Sequence, residues 1–214
     1  MARQRFVSSI RDAVLDSPVV FNLQQRLFDS NSKSLGRVFG QHLHPSHSIL
    51  DIGCGTGSCA HNLLPADATN YLGIDVSPAY IRYAQKRYPE RNFTCGDVVT
   101  FEWGTNRYDR VLVMSILHHL SDSEAAAIIN AIRSLLNPGG LILAAEPVFS
   151  SRDGSCKGSE KIRRFASNIL LRCDRGRFIR TQNEYLKLWN GVSIRHGSEL
   201  RIGLHEFCGF ILTA

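Results

Sequence analysis

S-I-L-D-I-G-C-G-T-G, residues Ser48 to Gly57, decides how the rest of the chain is read. Ile49, Leu50 and Ile52 form the short apolar run of a buried strand, and Asp51 interrupts it near its end. Gly53, Gly55 and Gly57 follow at every second position, where a missing Cβ lets the backbone turn sharply and approach a ligand closely. Ser58 to Leu64 has a helical pattern, so the turn would hand the ligand a helix N-terminus. Strand, bare turn and helix together describe a nucleotide-type cradle.

Working outward, four more strands follow, three of them ended by an acid. Tyr71 to Asp75 is an apolar run closed by an acid 24 positions after Asp51, near the spacing of an acid at the tip of a second strand. A carboxylate there can accept from both hydroxyls of a ribose. Ser77-Pro78 opens a helix that stops at Pro89. Phe93 to Val98 runs into Asp97, and Tyr108 to Met114 is followed by S-I-L-H-H-L. Ser121 to Glu124 is a capping box that starts a helix through Leu136. Asn137-Pro138-Gly139-Gly140 breaks it, and Leu141 to Ala145 is a strand ended by Glu146-Pro147. Strands alternating with helices predict a parallel sheet, right-handed crossovers and a ligand at the strands' C-terminal ends.

A dinucleotide fingerprint requires a third glycine where this chain has Ser58. The spacing D-x-G-x-G-x-G from Asp51 to Gly57 instead resembles the first motif of class I S-adenosylmethionine-dependent methyltransferases of the bacterial small-molecule type. The N-P-G-G turn before an apolar strand strengthens the resemblance, which spans residues 45–150. It implies an α/β, Rossmann-like seven-stranded sheet, mostly parallel with an antiparallel last strand, and helices on both faces. It implies S-adenosyl-L-methionine as cofactor, held by Asp51, Gly53, Cys54, Gly55, Gly57, Asp75, Val76, Asp97, Val98, Met114 and Ser115. In the family the residue matching Asp97 takes the adenine amino group, and the one matching Val98 offers a backbone N–H to the ring. His118 and His119 fall where the family places acceptor-facing residues, and either could act as a base near the ordinary histidine pKa of about 6.5. Glu146 is a second candidate for acceptor contact. Two other readings stand beside this one: a nicotinamide oxidoreductase on a similar fold, and a non-catalytic adaptor.

Four regions follow from this reading: a helical cap over 1–44, the cofactor-binding core over 45–150, a basic helical flap over 151–190, and a strand pair over 191–214 that completes the sheet. Phe6, Val7, Ile10, Val14 and Leu15 keep helical spacing in the cap, and a short helix from Lys33 ends near His42. The resemblance implies that such a cap closes over the cofactor, which brings in Lys33 and Arg37. In the flap, Ser159 to Arg172 carries a stripe of Ile162, Phe165, Ala166, Ile169 and Leu170. D-R-G-R-F-I-R, from Asp174 to Arg180, resembles a subgroup of bacterial class I methyltransferases. The tail G-L-H-E-F-C-G departs from that subgroup's ending.

The bulk numbers agree. At 214 residues, 43% hydrophobic and 21% charged, the chain suits one well-filled core. M-A-R-Q-R-F has no apolar region behind it and no apolar run reaches membrane-spanning length, so a cytoplasmic protein is expected. Six scattered cysteines lack metal-ligand spacing and read as reduced packing residues. The net charge of +6 is uneven: residues 1–147 hold 13 Lys/Arg and 13 Asp/Glu, whereas 148–214 hold 12 and 6. Nine bases lie between Arg152 and Arg180. They point to an anionic acceptor, small or lipid-linked, with Arg175 and Arg180 in a loop as its contacts, or to peripheral contact with an acidic membrane. Base-stacking aromatics are not interleaved with the charge, which argues against nucleic acid.

Overall fold

A computed structural model describes residues 33–149, 158–173, 177–202 and 205–213. The helices expected before Lys33, and Arg175, lie outside the described residues. The first element is α1 (Lys33–Phe39), continued by a 3-10 turn (Gly40–His42). Then come β1 (Ile49–Ile52), α2 (Ser58–Leu63), β2 (Tyr71–Asp75), α3 (Pro78–Arg87), β3 (Asn92–Cys95) and β4 (Tyr108–Met114). A 3-10 turn (Leu117–His119) leads to α4 (Asp122–Leu135) and β5 (Leu136–Val148). The last third adds α5 (Gly158–Cys173), α6 (Gln182–Leu188), β6 (Ser193–Ile202) and β7 (His205–Thr213).

The seven strands form one sheet in the order β3-β2-β1-β4-β5-β7-β6. From β1 to β5 all pairs are parallel, while β7 lies antiparallel to both β5 and β6. The chain leaves β1 for β2 and β3 on one side, then returns to place β4 on the other. That reversal makes the C-terminal ends of β1 and β4 the topological switch point, where open α/β sheets bind ligands.

Each face of the sheet carries its own apolar layer. Ile128, Ile129 and Ile132 of α4, with Tyr185 of α6 and Trp189 just beyond it, cover one face. Phe39 of α1, Ala60 of α2, and Ile81 and Ala84 of α3 cover the other. Two capping boxes start α4 and α6: Ser121 with Glu124, and Thr181 with Glu184, each exchanging side-chain and backbone hydrogen bonds.

Three elements differ from the sequence reading. The third strand ends at Cys95, because the Asp97 carbonyl accepts from Thr100 and Phe101 and turns the chain away. The fifth strand starts five residues before Leu141: Leu136 pairs with Tyr108, and a bulge carries N-P-G-G before pairing resumes at Leu141 opposite Arg110. The third difference is α5, which packs its polar side inward. Arg163 and Arg164 reach Glu160 and Glu206, and the Ser167 hydroxyl meets His205 Nδ1 at 2.9 Å, whereas Ile162, Phe165 and Ile169 face outward.

Candidate functional site

The turn after β1 is stitched to the tip of β2. Gly53 and Cys54 both donate backbone N–H groups to the Ile74 carbonyl. Gly55 N–H donates to Asp75 Oδ2 at 2.9 Å, and Ser77 N–H to Asp75 Oδ1 at 2.8 Å. Asp75 therefore organises two turns while each oxygen retains a lone pair for a further donor. Gly53, Gly55 and Gly57 all have positive φ, at 65°, 54° and 77°. A Cβ on Gly53 would lie 2.5 Å from Ile116 of the β4 loop, and one on Gly57 would lie 2.8 Å from Phe93. These glycines permit both the turn and the close approach of the β1 and β4 loops.

Asp51 is buried beneath this turn and accepts a 2.9 Å hydrogen bond from the Tyr71 hydroxyl. Burial pushes its carboxyl up to about 7; the Tyr71 bond opposes that rise and the charge of Asp75 adds to it. Asp75 is also raised, chiefly by burial. Cys54, whose thiol burial drives well above the usual range, contributes packing rather than a thiolate. Tyr71 was not among the predicted site residues. Its position in an apolar strand, two residues before a glycine, reads as core, and only the fold shows its hydroxyl against Asp51.

At the outer side of the switch point, Val76 is 71% exposed and Val99 46% exposed, an unusual state for such residues. Asp97 stands between them in the chain, exposed, with Oδ1 accepting from Val99 N–H at 2.9 Å. Val98 is buried, and its carbonyl accepts from the Trp103 indole at 2.9 Å. Met114 is half-buried, and Ser115 takes a left-handed φ of 59° while its N–H donates to the Ala145 carbonyl.

The β4–β5 side is built differently. Glu146 is fully buried. It accepts from the backbone N–H groups of Ile116, Leu117 and His118 at 3.0, 2.8 and 3.3 Å, and pairs with His118 Nδ1 at 2.8 Å. An ionised carboxylate can only accept, so Nδ1 is the donor and the ring is held in one orientation by Glu146. His118 is buried, His119 is exposed, and their ring centroids are 4.0 Å apart. Arg180 is also buried. Its guanidinium donates to the carbonyls of Leu117, Leu120 and Phe178 and to Asp122 Oδ1, which occupies all five N–H groups. Glu146 and Arg180 thus clamp the histidine-bearing loop from two sides. Arg177, which the sequence reading passed over, is exposed beside Phe178, whose N–H donates to the His118 carbonyl. Lys33 opens α1, and Arg37 stands exposed on it with no hydrogen bond to the glycine turn described.

Cys54, Cys59, Cys95 and Cys208 form no disulfide. Among the described residues no cluster of His, Cys, Asp and Glu could hold a metal ion, and no helix is long and apolar enough to cross a membrane.

Comparison with known proteins gives one consistent picture. Residues 49–140 match the family described as methyltransferase domain. An uncharacterized methyltransferase of Bacillus mycoides is 35% identical over 114 residues, 53% of each chain. The chain therefore spans about half the length of the curated relatives it matches. Among solved structures, magnesium protoporphyrin IX methyltransferase from Synechocystis with bound S-adenosylhomocysteine superposes with a TM-score of 0.62 at 19% identity, over 86% of this chain and 83% of that one. The [4+2]-cyclase SpnF superposes with a TM-score of 0.63 at 18% identity, over 84% and 80%.

Proposed function

We infer that this chain, a member of the class I S-adenosylmethionine-dependent methyltransferases through residues 49–140, transfers a methyl group to a small or lipid-linked anionic acceptor. S-adenosyl-L-methionine supplies the methyl, already activated on a sulfonium. One observation carries the reading: Asp75 binds both the glycine turn and the turn after β2, with lone pairs left for a ribose. The tip acids also fit this ligand by charge. Asp51 and Asp75 would repel a pyrophosphate and favour an ammonium and a sulfonium. Exposed Val76 and Val99 offer apolar surface to a base, and Asp97 an acceptor for its amino group. SpnF shows that this fold also hosts other chemistry, so the activity rests on the site.

The chain's own task is to hold nucleophile, methyl and sulfur in line, a positioning effect of ~7–11 kcal/mol. The loop clamped by Glu146 and Arg180 does this on the acceptor side. His119 meets the acceptor's proton, and His118, oriented through Nδ1 by Glu146, backs it. The charge of the 152–180 segment supports an anionic acceptor. With Arg180 committed inward, the exposed Arg177, next to Phe178 whose N–H reaches the His118 carbonyl, is our candidate for that contact.

The test is calorimetry with S-adenosylhomocysteine, followed by transfer of a labelled methyl group from the donor into a cell extract. Binding is expected with the nucleoside and none with NAD. Saturation at 100 times Kd adds ~2.7 kcal/mol of stability. Asp75→Ala should weaken binding by about a hundredfold, equivalent to the loss of two charge-assisted hydrogen bonds. No heat from the wild-type protein at millimolar nucleoside would sink the assignment.

A further inference from the structure

We propose that the outer face of α5 docks the protein on an anionic lipid surface. The observation is the inverted packing of this helix. Its ionic side is turned inward, where Arg163 and Arg164 pair with Glu160 and Glu206 and Ser167 bonds to His205. Its apolar stripe is turned out: Ile162 is 71% exposed, Phe165 69% and Ile169 45%. These residues recur at three- and four-residue spacing, so they form one continuous patch rather than scattered contacts.

Phe149, where the chain leaves β5, and Phe178, which follows α5 in the chain, are exposed as well. Lys161 lies exposed next to the stripe. The segment from Arg152 to Arg180 holds nine Lys/Arg against three Asp/Glu; Arg163, Arg164 and Arg180 are paired inward, while Lys161 and Arg177 stand exposed. An apolar stripe flanked by the exposed Lys161, on a segment of net positive charge, matches the two components of a membrane surface, the acyl boundary and anionic headgroups. A second copy of the chain would bring like charge against like charge at this face. The membrane relieves that repulsion, which is why it is the favoured occupant. The inference does not depend on which acceptor is methylated.

The experiment is co-sedimentation of the full chain with vesicles of phosphatidylcholine, with and without phosphatidylglycerol. Binding is expected on the anionic vesicles only, and raised salt should weaken it. Ile162→Ser with Phe165→Ser should cut the affinity by about tenfold or more, since both apolar side chains leave the interface. Lys161→Glu should cut it about fivefold or more. Because these side chains face solvent, melting temperature and the shift caused by S-adenosylhomocysteine should stay at wild-type values. Phe165→Trp should bind like wild type and shift its emission to the blue on the same vesicles. The proposal is overturned if anionic vesicles leave the protein in solution, or if the serine variants bind as well as wild type. It is equally overturned if Phe165→Ser dissociates a concentration-dependent dimer without any vesicle binding. A sharply lower melting temperature in that variant, again without vesicle binding, would mean that residues 1–32 of the same chain cover the face.

Discussion

On the β1–β3 side of the sheet, Asp51 is buried against the Tyr71 hydroxyl, whereas Asp75 and Asp97 lend part of their capacity to the backbone and keep the rest. Asp75 accepts two N–H groups and Asp97 one, and both remain partly or fully exposed at the sheet's C-terminal edge. On the β5 side, Glu146 is fully buried and takes three backbone N–H groups and an imidazole. The same residue type at the same place in a βα unit thus does two jobs. Near the glycine turn the carboxylate shapes the loop and stays partly exposed, whereas near the histidines it is buried within the loop it shapes. A strand-tip acid is first a loop organiser, and whether it also meets a ligand depends on how much of it the loop consumes.

The sharpest way to break this contrast is to remove Glu146. Glu146→Ala leaves three N–H groups and the His118 ring buried without their acceptor, and the loss should reach ~3–5 kcal/mol. That corresponds to a melting temperature lower by roughly 10 °C for a chain of this size, read by calorimetry. If the variant melts near wild type, the carboxylate is not what holds the loop.

Asp51→Asn tests the other side, and its sign is opposite. The native carboxyl, raised to about 7, binds its proton more tightly than the unfolded chain does. Stability of the ligand-free protein is therefore lost as pH rises from about 4 to about 7, and then levels off. Removing the charge should stabilise the ligand-free protein at pH 8 by up to ~4 kcal/mol while weakening S-adenosylhomocysteine, whose ammonium loses an anionic neighbour. The measurement is thermal unfolding at pH 5 and pH 8 with and without ligand. A variant no more stable than wild type at pH 8 would show that Asp51 is well solvated.

The smallest effect sharpens the comparison by touching neither side. Thr181→Ala removes the hydroxyl that caps α6 and should cost ~1 kcal/mol, with ligand binding unchanged. A larger loss would mean that α6 also supports the loop above it, through Tyr185, which donates to the Pro147 carbonyl next to Glu146.

The parts legible in the sequence were those written in contiguous residues. Tyr71 to Asp75 and Tyr108 to Met114 form strands with the predicted limits, because an apolar run bounded by breakers leaves little choice. Both capping boxes formed, since each needs only four residues in order. The orientation of α5 was not legible. Its apolar stripe is regular enough for a core helix, yet Glu206 and His205 on β7, more than thirty residues away, bind the polar side instead. The arginines of the flap misled for a similar reason. Arg180 reads as a free cation in a loop, and only the fold brings three carbonyls and Asp122 around it.

By itself, then, the sequence determined the glycine turn, the alternation of strands and helices, and the acids at strand tips, because each is set by local sterics and short-range periodicity. The tertiary structure alone decided which acids are used up, which bases are paired, and which face of α5 meets solvent. Those outcomes depend on partners distant along the chain, whose competition for the same hydrogen bonds is settled only when the sheet brings them together.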